Sequence, residues 1–100
     1  MKRIEVDGLP PEPLAAAGVF HQNWLDPIER ALELGDVTVV LEAADHTHGE
    51  WRHAAAAMLA RKHTPRRVNF VAGEGAGVNA IHTYLANAPG VTGQYLQAAQ

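Results

Sequence analysis

Apolar residues along the 100-residue chain fall into two rhythms: short β-branched runs, and longer stretches with helical spacing. From Lys2 to Val6, Ile4 and Val6 share one side of a candidate strand that stops at Asp7-Gly8 and at Pro10, Pro11 and Pro13. Prolines remove backbone donors and fix φ, so nothing regular is expected across that segment. Between Leu14 and Trp24, the residues Leu14, Val19, Phe20 and Trp24 recur at helical spacing, weakened by Gly18. Asp26, Pro27 and Glu29 suit the N-cap, N1 and N3 positions of a capped helix start, and Gly35 supplies a stop. Pro27 either begins a new helix or kinks one already running.

Asp36 to Glu42 (DVTVVLE) is β-branched and apolar enough for a strand buried on both faces. A helix is predicted from about Glu50 to His63, with Trp51, Ala54, Ala55, Met58 and Leu59 as one stripe and Ala56, Ala57 and Ala60 leaving the other face small. A helix apolar on more than one side needs cover on more than one side. After a Pro65 turn comes a buried strand, Val68 to Ala72, then the glycine loop Gly73-Glu74-Gly75-Ala76-Gly77. Val78, Ile81, His82 and Leu85 line one face of a further helix, ended by Asn87-Ala88-Pro89-Gly90. Val91 to Gln97 (VTGQYLQ) suits a last strand at an edge.

The string β-α-β-α-β-α-β predicts a single α/β domain over residues 1–100: a four-stranded parallel sheet in sequential order, joined by right-handed crossovers. Alanine dominates the apolar 47%, with only two each of Phe, Trp and Tyr, so the core relies on close backbone approach. A net charge of −3 argues against a general nucleic-acid binder, because neutralising phosphates needs surplus Lys and Arg. The cluster Arg61, Lys62, Arg66, Arg67 reads as a solvated helix end, where cations suit the dipole. The absence of cysteine removes thiolate chemistry and fits a cytoplasmic protein. No apolar run is long enough for a membrane helix, and the start MKRIEVDGLPPEP lacks a signal-peptide core.

The segments Leu59-Ala60-Arg61 and Thr64 to Gly73 (TPRRVNFVAG) resemble the part of short-chain dehydrogenases/reductases in which a helix ends at an APRG-type turn and enters an RVN-A-V-A-PG strand. Ala88 to Gln94 (APGVTGQ) is similar to the VTGQ stretch opening the last strand of that family, and Gly35 to Val40 looks like the strand that carries its catalytic Ser. The resemblance spans nearly the whole chain but only the C-terminal half of a typical member, so it implies a truncated Rossmann-like domain. The family's coenzyme motif belongs to a first βαβ unit missing from this match, and no Tyr-x-x-x-Lys pair is present. Aligned on Leu59-Ala60-Arg61, the catalytic Tyr and Lys fall on Asp45 and Gly49, and the Ser near Ala43 or Ala44. None can replace them, since hydride chemistry needs a phenol held near neutral pKa by an ammonium. The half-sheet and its helical association surface are implied without the reaction.

Three constellations remain. His46-x-His48, with Glu50 and His53, follows a strand, where two imidazoles and a carboxylate could hold zinc; the bland reading is a polar loop in which Asp45 or Thr47 caps the next helix. Gly75, Gly77 and Ala80 satisfy G-x-G-x-x-A between strand and helix, a spacing that can cradle a pyrophosphate, although Glu74 opposes phosphate and a tight turn also needs these glycines. Asn69, His82 and Tyr84 interrupt apolar segments; Asn69 is expected to tie a neighbouring loop, and His82 to be a satisfied histidine. The sequence points to a non-catalytic association or scaffolding module with no cofactor, homodimeric through Glu50–His63. The alternative is a small nucleotide-binding or metal-dependent enzyme using Gly73–Gly77 or His46/His48.

Overall fold

A computed structural model describes residues 1–98. Its elements are β1 (Lys2–Glu5), α1 (Pro13–Asn23), α2 (Leu25–Leu32), β2 (Val37–Leu41), a 3₁₀ turn (His46–His48), α3 (Gly49–Lys62), β3 (Val68–Ala72), α4 (Gly75–Ala86) and β4 (Tyr95–Gln97). The strands form one parallel sheet in the order β1-β2-β3-β4, with Ile4 beside Val39, Val39 beside Phe70 and Phe70 beside Tyr95. The small Rossmann-like α/β architecture expected from the alternation is present.

Local chemistry explains most boundaries. The Glu12 carboxylate accepts from the N–H of Leu14 and of Ala15, both at 2.9 Å, and these bonds hold its pKa below the usual carboxylate range. Pro13 then takes N1, where its missing donor costs nothing. The start expected at Asp26 is not there: α2 begins at Leu25, and the Trp24 carbonyl already accepts from Ile28 N–H. Asp26 instead pairs with Arg30 at 2.9 Å, and Pro27 neither begins nor kinks a long helix but sits in the first turn of α2, where N–H groups lack intrahelical partners anyway. Trp24 alone separates α1 from α2.

Alternation along the strands sends side chains to two faces. On one, Val37, Val39 and Leu41 of β2 and Val68 and Phe70 of β3 meet Phe20, Ile28, Leu32, Ala56 and Leu59 from α1, α2 and α3. Phe20 anchors this core, its ring centroid 5.3 Å from Trp51 and 5.6 Å from Phe70. On the other, Val40 and Val71 pack on Val78 and Leu85 of α4 and on Ala98. The strands step across the sheet in one direction, so crossovers of a single hand would leave every helix on one face. Because α4 lies opposite α1, α2 and α3, the β3–α4–β4 crossover has the other hand, and the expectation of uniformly right-handed connections fails there.

Two further expectations are corrected. The buried stripe of α3 is Arg52, Ala55, Ala56, Leu59 and Ala60, whereas Ala54 and Met58 face outward. The helix is therefore rotated from the predicted stripe, and Ala56 and Ala60 lie on the core side. The last strand is only Tyr95–Gln97, because Gly93 adopts φ +72 and turns residues 91–94 into a loop over α3. A Cβ at Gly93 would lie 3.2 Å from the Ala60 Cβ, so glycine permits both the turn and the close approach.

Candidate functional site

Loops that follow the strands of a parallel sheet collect at its carboxyl edge, the usual place for a site in an open α/β sheet. The loops after β1 and β2 meet the start of α3 around a cavity of about 300 Å³, whose lining includes Val6, Asp7, Glu42, Asp45, His48 and Arg52. Asp7, Glu42 and Asp45 are exposed at its rim, whereas His48 and Arg52 are buried, at 7% and 3% exposure.

The histidine loop does not bring its imidazoles to one point. His46 is exposed in the 3₁₀ turn, but both ring nitrogens of His48 are engaged. Nδ1 accepts from the Trp51 indole N–H at 3.1 Å, so Nε2 carries the proton and donates to the Pro11 carbonyl at 3.0 Å. His48 thereby ties the proline segment to α3, and metal ligation would break one of these bonds. Among the described residues no group of three or more His, Asp or Glu side chains is placed to hold a metal ion.

Asp45 and Gly49, aligned with the family's Tyr and Lys, have local structural roles. Asp45 Oδ1 accepts from Thr47 N–H at 2.9 Å and from the Thr47 hydroxyl, and the hydroxyl bond followed by the N–H bond holds its carboxyl below the usual range. Asp45 thus caps the 3₁₀ turn and not α3 as expected, since α3 starts after His48 with no side-chain capping bond, and Gly49 is its first residue.

The charged group that reasoning from sequence missed is Arg52. Its Nη1 donates to the Glu42 carbonyl at 2.9 Å and to the Tyr95 hydroxyl at 3.1 Å, and its Nε is buried without a partner. The guanidinium carbon lies 5.5 Å from the Trp51 ring centre and 5.8 Å from that of Tyr95. Aromatic faces offset part of the cost of burying a cation, but Arg52 has no carboxylate partner among the described residues. The available signal was its place three and four residues before Ala55 and Ala56 on the same stripe.

Gly75 and Gly77 open α4 beside a second crevice at this edge, the former at φ +67. Gly73, at φ +131, is required for packing, since a Cβ there would come within 2.8 Å of the Ala98 Cβ. Glu5, Asp7, Glu42 and Glu74 border the crevice, an acid-rich lining that opposes a pyrophosphate. The backbone geometry matches a tight strand-to-helix turn.

On the α4 side, Asn69 is fully buried and clamps residues 91–94, donating to the Val91 carbonyl at 3.0 Å and accepting from Gln94 N–H at 3.1 Å. His82 Nδ1 lies 3.1 Å from the Thr38 hydroxyl; burial, then the charge of Arg3 and the chain amino terminus, push its pKa down. Tyr84 is 57% exposed. Arg67 is not a solvated helix end: it donates to Asp36 at 3.1 Å and to the Leu85 and Ala88 carbonyls at 2.9 and 2.8 Å, holding the end of α4 to the sheet.

No curated protein and no solved structure matches the chain. A family model described as short chain dehydrogenase-like protein matches residues 4–98, from β1 past the end of β4. With four parallel strands, helices on both faces and a match over nearly its whole length, the chain belongs to the SDR-like family of short chain dehydrogenase-like proteins.

Proposed function

We propose that this chain is a non-catalytic Rossmann-like association module that pairs with a second copy through α3. The observation that carries the proposal is the outward face of α3. Ala54 and Met58 are exposed there, the latter at 59%, between a groove bordered by Tyr95 and Gln97 and another bordered by Leu25 and Leu59. Small residues let a second helix approach closely, and the flanking grooves offer apolar surface to its side chains. Glu50 and Arg61 close the two ends of this ridge, so an antiparallel arrangement about a twofold axis sets the acidic end of one helix against the basic end of the other. The residues aligned with the family's proton-transfer pair support the non-catalytic part: Asp45 is used as a cap, and Gly49 has no side chain.

Sedimentation velocity at micromolar concentration tests the pairing. A two-chain species that becomes one chain in Ala54→Glu or Met58→Glu is expected; a wild type that stays strictly monomeric overturns it. Titration with NAD, NADP, ATP and zinc, read as melting temperature, tests the other half. A rise with a dinucleotide or ATP favours a nucleotide-binding reading at Gly75 and Gly77, and a zinc effect lost in His46→Ala favours a metal site.

A further inference from the structure

Arg52 lies in the first half of α3, near the positive end of the helix dipole, where a cation is disfavoured. It is only 3% exposed, and burying a charge without an ionic partner is costly. Its Nη1 is satisfied by neutral oxygens and its Nε is orphaned. Nη2 makes no hydrogen bond among the described residues, yet it is not one of the fully enclosed unsatisfied atoms, so it keeps an opening to its surroundings. The cavity between the β1 and β2 loops borders Arg52, and at about 300 Å³ it lies at the small end of the range for ligand pockets. A buried cation that lacks a counter-charge and borders a small cavity is suited to a carboxylate.

The rim narrows the class. Asp7, Glu42 and Asp45 border the same cavity, and their carboxylates repel a phosphate dianion more than a monoanion. They also attract an ammonium group carried on the ligand. We propose that this cavity binds a small zwitterion of the α-amino-acid class, its carboxylate on Arg52 Nη2 and its ammonium toward the carboxylates of the rim. The site is separate from the outward face of α3, so it stands or falls independently of pairing.

The test titrates L-alanine, acetate and inorganic phosphate into the full chain, followed by calorimetry and by the fluorescence of Trp51, whose ring lies against the Arg52 guanidinium. Saturable binding in the order L-alanine, acetate, phosphate is expected. Arg52→Met keeps the apolar stem and should weaken L-alanine at least about tenfold, as loss of a charge-assisted hydrogen bond implies. Asp7→Asn, at an exposed residue, should bring L-alanine down toward acetate. No saturable signal with L-alanine, phosphate binding as well as L-alanine, or a folded Arg52→Met binding like wild type each overturns the proposal. If Arg52→Met does not fold, Asp7→Asn decides, and an unchanged preference for L-alanine over acetate overturns it.

Discussion

On one face of the sheet, α1, α2 and α3 press Phe20, Ile28, Leu32, Ala56 and Leu59 onto Val39 and Phe70; on the other, α4 alone lies over a surface that includes Thr38 and Asn69. The first face is closed by apolar burial, at about 1.5–3 kcal/mol for each fully buried large side chain. The second has a smaller apolar cluster, and α4 and the loop after it are tied down by Asn69, Arg67, the His82–Thr38 contact and Arg3, which donates to Asn79 at 2.6 Å. Non-directional burial tolerates a helix as rich in alanine as α3. Hydrogen bonds fix position more strictly, and on the α4 face they reach both the helix and the loop after it.

That contrast predicts unequal losses. The largest belongs to the three-helix face: Phe70→Ala leaves a cavity beside Phe20 and should lower unfolding free energy by about 3–5 kcal/mol in urea denaturation. A loss as small as that of a surface substitution would break the comparison. On the α4 face, Asn69→Ala removes both bonds to residues 91–94 and strands their polar groups, for about 1–3 kcal/mol. Amide exchange should quicken at Gln94 and along β4 while β1 and β2 stay protected; uniform quickening would mean that the clamp is not local.

The smallest effect concerns pH. Burial and the charge of Arg3 place the folded pKa of His82 below its unfolded value of about 6.5. Between those two values the unfolded chain binds more protons, so stability is fully present above the unfolded pKa, falls as pH drops below it, and levels off below the folded pKa. The difference in melting temperature between wild type and His82→Gln should therefore change across mildly acidic pH in the direction that disfavours wild type at the acid end. A difference independent of pH would show that His82 does not titrate against the fold.

The strands were legible because their signals are local. Val37–Leu41 is a β-branched run and Val68–Ala72 an apolar one interrupted only by Asn69; both lie between breakers and both are buried along their whole length. The orientation of α3 was not legible, since alanine on every side carries no directional signal and only packing against Phe20 and Phe70 selects the stripe beginning at Arg52. Arg67 looked like its basic neighbours because its acceptors are far along the chain: the Asp36 carboxylate 31 residues before it, and carbonyls of α4 and the loop after it, 18 and 21 residues on. The candidate loops were found, but not that His48 spends both nitrogens on Trp51 and Pro11 or that Arg52 lies beneath them.

The order of residues alone determined the alternation of strands and helices, the parallel sheet and the family resemblance, because each depends on propensities and spacings within a few residues. Which face each helix covers, the hand of the last crossover and the burial of an arginine beside a small cavity were decided only in three dimensions. They depend on contacts between segments far apart in the chain, and no local pattern encodes the partner a side chain will meet.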